Sequence, residues 1–265
     1  MKDQWWTAEN LKGLYEKFEE SDEHRFDKLD KDHDAGSYRL MRLGGSISDA
    51  KLQYHNDTFP AYKIKFCKGL LNNNNLPKRI LDAGCGLGFT TQQIKNKYPN
   101  AKVFGIDVSN DAVEFGREKF KTCEFITQAI DPSVPMKALD LDIIFAFEFY
   151  PFTRTSDFQV HKSYVDLFMS ALNPGGELAI FQRWDNPSSL SQNVDLLKEL
   201  YPSHQISISE MPIRRIGKIL PYYRLSLLVT WIARIILRML RIKGASVNKL
   251  LIMRKPNQLL NTYGK

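Results

Sequence analysis

A chain of 265 residues with 43% hydrophobic content is long enough for one large domain with added segments and can bury a proper core. Three cysteines, Cys67, Cys85 and Cys123, are odd in number and far apart, which argues against a disulfide framework or a zinc spacing and for a reducing, cytoplasmic compartment. The net charge of +7 is uneven: Met211 to Lys265 holds 12 Lys or Arg and no Asp or Glu, so the first 210 residues sum to about −5.

A basic tail on an acidic body predicts an anionic partner for the tail, either a membrane surface or nucleic acid. Met1 to Asn10 carries no apolar signal-peptide core. Thr7 to Glu20 reads as an amphipathic helix, with Leu11, Leu14, Tyr15 and Phe18 on one stripe. Trp5 and Trp6 precede it, to pack on the main domain or to lie at a membrane interface. Ser21 to Asp57 mixes many charges with Tyr38, Leu40, Met41 and Leu43, a pattern that suits a lid over a substrate site. Within it His33, flanked by Asp32 and Asp34, is a candidate general base. A solvated loop is the plainer alternative. Tyr62 to Leu71 is expected to be a helix and Asn72 to Asn75 a loop. Residues 1–71 thus form an N-terminal helical or lid region.

The stretch Arg79 to Ser109 organises the rest of the chain. Ile80 and Leu81 end a short buried strand, and Gly84, Gly86 and Gly88 come next at alternate positions. A helix opens at Thr90 or Thr91. A strand, a glycine turn and a helix make a ligand site at the carboxyl edge of a parallel sheet. The spacing is neither the dinucleotide G-x-G-x-x-G nor a phosphate loop with Lys-Ser/Thr. Lys102 to Ile106 is a second apolar strand, and it ends in Asp107, about twenty residues on, where a ribose-diol ligand belongs.

Leu81-Asp82-Ala83-Gly84-Cys85-Gly86-Leu87-Gly88, taken with Gly105-Ile106-Asp107-Val108-Ser109, resembles a class I S-adenosylmethionine-dependent methyltransferase. The resemblance runs from about Arg79 to Phe181. It implies that Gly84, Gly86 and Gly88 let the loop approach the methionine part of the cofactor. It implies that Asp82 lies beneath the loop and aids the amino group, that Asp107 takes both ribose hydroxyls, and that Val108 lies against the adenine. S-adenosyl-L-homocysteine would be the product form of the cofactor. The family often places an acidic residue after its third core strand. Here Gln128, Ala129 and Ile130 fall at that place and Asp131 comes one or two residues late, so Asp131 and the backbone of Ala129 or Ile130 both remain candidates for the adenine.

Further strands are expected at Cys123–Gln128, Leu141–Ala146 and Gly176–Gln182, with helices at Thr90–Lys97, Ser109–Lys119, Lys162–Leu172 and Ser188–Leu200. Gln205–Glu210 and Val247–Met253 close the chain as a hairpin. The fold class is α/β: a doubly wound, mostly parallel seven-stranded sheet with helices on both faces, preceded by the lid and carrying a helical insertion before the last strand. Residues 72–265 make up this Rossmann-like domain.

After Asp142 to Ala146, the segment Phe147 to Arg154 forms the edge where the family presents its methyl group. Glu148 and Tyr150 are the polar groups of that aromatic wall. Methyl transfer leans on in-line positioning, and an oxygen acceptor of high pKa also needs a base, for which Glu148 and His33 are the candidates. Glu148 as a helix-start cap or salt-bridge partner is the plainer alternative. No metal cluster is evident, although Asp32, His33 and Asp34 could help bind an ion.

The insertion 212–244 is the other distinctive feature. Its longest uncharged run, Leu225 to Ala233, is nine residues, well short of the roughly 20 that a transmembrane helix needs. Arg234, Arg238 and Arg241 stand on one narrow stripe, with Leu228, Trp231, Ile232, Ile235, Ile236 and Met239 around the rest. That pattern predicts an interfacial helix, arginines at headgroup level, on the inner face of an anionic membrane. Packing against the core or in a homodimer is the alternative, and so apolar a helix suits nucleic acid poorly. The combined expectation is O-methylation of a membrane-associated or lipid-linked acceptor such as a surface-glycan sugar. A soluble small-molecule methyltransferase and a non-catalytic cofactor-binding scaffold are the alternatives.

Overall fold

A computed structural model describes residues 60–67, 77–136, 140–184, 189–213, 216, 220, 222–240 and 247–257. The Thr7–Glu20 helix, the Ser21–Asp57 lid and His33 lie outside the described residues.

The sheet is built from β1 (Arg79–Ala83), β2 (Lys102–Asp107), β3 (Glu124–Thr127), β4 (Leu141–Phe147), β5 (Leu172–Arg183), β6 (Gln205–Glu210) and β7 (Asn248–Arg254). The strand order is β3-β2-β1-β4-β5-β7-β6. β1 pairs in parallel with β2, Ile80 opposite Val103, and with β4, Ile80 opposite Ile143. β7 alone runs the other way, antiparallel to β5 and to β6. The central strands are covered on both faces, so they are apolar throughout rather than alternating. β4 shows this plainly: all but Asp142 of its residues are buried.

The pleat divides most of the apolar side chains between two cores, and Cys85, Val113, Cys123 and Phe125 form a smaller third cluster. Leu81, Phe104, Ile144 and Ile180 pack on one face with Tyr164 and Phe168. Ile80, Val103, Ile143 and Phe145 pack on the other with Tyr62, Ile64 and Phe66. The helices that supply these covers are α1 (residues 60–66), α2 (Phe89–Lys97), α3 (Asn110–Lys119), α4 (Tyr150–Thr153), α5 (Phe158–Ala171), α6 (Val194–Leu200) and α7 (Tyr223–Met239). Among the described residues, side chains cap two of them. Ser109 accepts the Ala112 N–H at 3.3 Å to start α3, and Asp157 accepts the Gln159 N–H at 2.8 Å to start α5.

The expected helix over Ser188–Leu200 is shorter. A 3-10 turn over Leu190–Asn193 precedes α6. Asn193 breaks the run because its amide nitrogen is engaged elsewhere, at 2.8 Å from both Ser156 O and His161 Nδ1. β5 starts four residues earlier than the apolar run suggests, at Leu172, with an irregularity where its pairing jumps from Leu141–Leu172 to Ile143–Glu177.

β1, β2, β4, β5 and β6 all end at one edge of the sheet, and β7 starts there. The insertion leaves and rejoins the sheet at this edge, where Met211 N–H donates to Asn248 O at 2.9 Å and Trp184 N–H to Val247 O at 2.6 Å.

Candidate functional site

The carboxyl edge of the sheet gathers the charged groups. Gly84, Gly86 and Gly88 have φ of 70°, 52° and 82°, a left-handed run that L side chains rarely adopt. Gly88 has a second reason to be glycine: a Cβ there would lie 2.5 Å from the Phe125 ring. Gly88 thereby lets α2 sit close against the sheet, whereas a Cβ on Gly84 would meet Phe149, 3.1 Å away, from the end of β4. The glycine loop and the end of β4 are therefore neighbours.

Asp107 ends β2 and ties the loop down. Its Oδ2 accepts the Gly86 N–H at 2.8 Å and its Oδ1 accepts the Ser109 N–H at 2.9 Å. An ionised carboxylate has about four acceptor sites, so each oxygen keeps acceptor capacity for a vicinal diol. Burial raises its pKa above the usual carboxylate value, and these backbone hydrogen bonds oppose the rise. Val108 comes next, half-buried, at the same edge.

Asp82 is almost fully buried beneath the loop and accepts the Thr91 hydroxyl at 2.7 Å. Burial pushes its carboxyl up to about 7, while the Thr91 hydrogen bond and the nearby Lys63 ammonium pull it down. Such a carboxyl is poised to ionise beside a cationic group. Asp131 sits beyond β3, its Oδ1 accepting both the backbone N–H and the hydroxyl of Ser133 at 2.8 Å. Gln128 lies nearer to Asp107, donating its N–H to Asp107 O at 2.9 Å.

On the β4 side Glu148 has φ of 54°, an uncommon conformation for a residue with a Cβ and one that clusters at functional sites. Its N–H is held by Phe181 O at 2.7 Å. Its Oε2 lies 3.3 Å from Lys63 Nζ, and the Lys63 side chain is only 7% exposed. Lys63 also lies over the rings of Phe147 and Phe181, 5.8 and 5.5 Å from their centres. Tyr150 opens α4, half-buried, with the Arg154 guanidinium 5.4 Å from its ring centre, and burial pushes its phenol up.

The structure thus brings Asp82, Gly84, Gly86, Asp107, Val108, Glu148 and Tyr150 to one edge. His33 lies outside the described residues. Among the described residues no group of His, Cys, Asp and Glu could hold a metal ion. All three cysteines are free and buried. Sequence reasoning missed Lys63, although a lysine inside a helix otherwise lined by Tyr62, Ile64 and Phe66 was the available signal.

The insertion departs from expectation in its facing. The stripe that turns inward is Ser226, Thr230 and Arg234, with Ser226 and Thr230 buried. Ser226 Oγ donates to Leu220 O at 2.7 Å, and Thr230 Oγ1 accepts the Ile213 N–H at 2.9 Å. Arg234 Nη1 pairs with Glu210 Oε2 on β6 at 3.0 Å, and its side chain is 14% exposed. Arg234 is therefore an internal anchor and not a headgroup-level residue, because the acidic end of β6 lies beneath it. Arg241 and the side chain of Arg238 lie outside the described residues.

A methyltransferase-domain family model matches residues 75–239, well over half of the chain. Trans-aconitate 2-methyltransferase of Rhodopseudomonas palustris (strain BisB18) is 29% identical over 133 residues, covering 49% of each chain. Malonyl-[acyl-carrier protein] O-methyltransferase 2 of Ilyobacter polytropus is 28% identical over 144 residues, 53% of this chain and 52% of its own. The chain spans about half the length of the curated relatives it matches. Among solved structures, the plantazolicin methyltransferase in complex with SAH aligns with a TM-score of 0.48 at 16% identity, covering 95% of this chain and 93% of that one. An O-methyltransferase from a trans-AT PKS multienzyme of Brevibacillus brevis aligns with a TM-score of 0.49 at 16% identity, covering 84% and 80%. The family match, over the same glycine loop and Asp107 that line the carboxyl edge, places the chain in the class I S-adenosylmethionine-dependent methyltransferase family.

Proposed function

We propose that this chain transfers a methyl group from S-adenosylmethionine to an oxygen of its acceptor at the carboxyl edge of the sheet. The observation that carries the reading is the Asp107 carboxylate, fixed by Gly86 and Ser109 with acceptor capacity left on both oxygens. Asp107 would hold the ribose hydroxyls, Asp82 the methionine ammonium beneath the glycine loop, and Val108 the adenine face. The Gly84–Gly88 loop lets the backbone come close, and Asp131 borders the adenine side. The bound cofactor would supply an electrophilic sulfonium methyl.

What the chain adds is placement and proton control. Phe147, Phe149 and Phe152 wall the β4 side and are buried, which keeps water from the edge. An acceptor hydroxyl would lose its proton to Glu148 as it gains the methyl; Glu148 is placed for this by its left-handed backbone after β4. Tyr150 borders the same space, and His33 is the second candidate base. The acceptor is a membrane-associated or lipid-linked molecule such as a glycan sugar, because the insertion that leaves this edge is both basic and apolar.

A second reading has its own support. Relatives named for trans-aconitate and for a malonyl-carrier protein suggest a soluble acidic acceptor. A carboxylate acceptor is already ionised at neutral pH and needs no base. Lys63 then becomes the group that orients it. Incubation with methyl-labelled cofactor and with separated lipid, glycan and aqueous metabolite pools tests both. Label in the lipid or glycan pool supports the first reading, label in an aqueous acid supports the second, and no transfer to any pool by a protein that binds cofactor contradicts both.

A further inference from the structure

The outer face of α7 exposes a run of large apolar side chains among the described residues. Leu228, Trp231, Ile232, Ile235, Ile236 and Met239 all point away from the body, with Trp231 61% and Met239 77% exposed. Monomeric soluble proteins rarely leave a contiguous apolar patch of this kind uncovered. The helix is not misplaced on the sheet, because its inward stripe is specifically held. Ser226, Thr230 and Arg234 each meet a partner in the segment leading to it or on β6. Rotating the apolar face inward would break all three. The fold thus fixes the apolar face outward.

We propose that this face docks on an anionic lipid bilayer, lying in the plane of the interface. Two observations favour lipid over other occupants. First, Met211 to Lys265 carries 12 basic residues and no acidic one; even with Arg234 and Arg254 paired to Glu210 and Glu177, the excess of positive charge attracts an anionic surface and repels a second copy presenting the same charge. Second, the exposed face is a row of large aliphatic side chains around one central tryptophan, the composition of an interfacial helix. No described helix is long and apolar enough to cross a membrane, and a docked α7 would lie in the plane of the interface.

Docking would also fix the site. The insertion joins the sheet beside the carboxyl edge, through Met211–Asn248 and Trp184–Val247. The Tyr62 hydroxyl donates to Pro212 O, and the Phe66 and Tyr223 rings lie 5.9 Å apart, centre to centre. These contacts tie α1, which carries Lys63, to the start of α7. A bilayer under α7 therefore lies next to the edge where Glu148 and Lys63 stand, and a lipid-linked acceptor would reach that edge without leaving the membrane. This last step rests on the methyl-transfer reading; the docking itself does not.

The test is sedimentation of the full chain with vesicles of phosphatidylcholine alone and of phosphatidylcholine mixed with phosphatidylglycerol. The wild type should sediment with the mixed vesicles and far less with the neutral ones. Added salt should weaken this binding without abolishing it, because the apolar contribution is not screened. The triple variant Leu228→Glu, Trp231→Glu, Ile235→Glu removes three exposed apolar groups and should lower partitioning by at least about a hundredfold. Its melting temperature and its affinity for S-adenosylhomocysteine should stay as in the wild type. A wild type that remains in the supernatant with both vesicle types overturns the proposal. So does a wild-type dimer, seen by light scattering, that the triple variant splits without any vesicle binding, for then a second copy covers the face. Either result with normal cofactor binding leaves the methyl-transfer reading standing, whereas a vesicle-binding protein without cofactor affinity removes that reading and keeps the docking.

Discussion

Helices α5 and α7 carry similar apolar stripes and turn them in opposite directions. α5 sends Tyr164, Val165 and Phe168 into the core against the sheet, each wholly buried, and leaves Lys162 and Asp166 in water. α7 sends Ser226, Thr230 and Arg234 inward and leaves Trp231, Ile236 and Met239 outside. A 3.6-residue apolar period says that one face avoids water; it does not say what covers that face. The width and chemistry of the polar stripe tell the two cases apart. In α5 that stripe is charged and solvated. In α7 it is narrow, made largely of short hydroxyls, and each member hydrogen-bonds back to the chain. The same contrast separates what holds the fold from what lies open to a partner.

Substitutions along the two helices can break that contrast, and the greatest effect is expected in α5. Phe168→Ala should cost about 3–5 kcal/mol, since it opens a cavity among Phe149, Phe152 and Tyr164. A urea melt showing less than about 1 kcal/mol would mean that α5 is not the core helix it looks like.

Beneath the glycine loop the expected effect is nearly as large and depends on pH. Asp82 has a folded pKa near 7 against 3.8 for an unperturbed carboxyl. The folded state therefore holds its proton more tightly, and the contribution to stability is full below about pH 4 and is lost as pH rises through about 7. Asp82→Asn should stabilise the cofactor-free protein at pH 8 by up to about 4 kcal/mol and change little at pH 3. It should also weaken cofactor binding, because the carboxylate would face the methionine ammonium. Melting curves with equal gains at both pH values would show that Asp82 is not a strained, function-bearing carboxyl.

Along α7 the effects shrink. Thr230→Val keeps the shape but strands the Ile213 N–H, a loss of about 1–3 kcal/mol that thermal denaturation would register. A neutral result would leave the inward facing of α7 without its anchor. Trp231→Glu, on the outer face, should stay within about 0.5 kcal/mol of the wild type. A large loss there would mean that the face is covered within the chain itself.

Legibility in the sequence depended on how far apart the interacting residues lie. The glycine loop and Asp107 fall within one strand-turn-helix-strand unit, so spacing and residue type placed them, and Gln205–Glu210 matches β6 residue for residue. Lys63 and Glu148 meet across 85 positions, and no local pattern couples them. The left-handed backbone of Glu148 was equally hidden, since glutamate is not the residue type that advertises positive φ. In the sequence Arg234 fits a headgroup stripe, because its partner, Glu210, belongs to a strand whose side of the sheet only the fold decides. The Ser188–Leu200 expectation overruns the helix because Asn193 is held by Ser156 and His161, contacts made across the chain.

The most direct test of the central claim is calorimetric titration of S-adenosylhomocysteine into the wild type and into Asp107→Ala, with circular dichroism to show that the variant is folded. Loss of charged hydrogen bonds worth about 1.5–3 kcal/mol predicts that the variant binds roughly 10- to 150-fold more weakly. Equal affinity in a folded variant, or no binding by the wild type, would contradict the assignment of the carboxyl edge as the cofactor site.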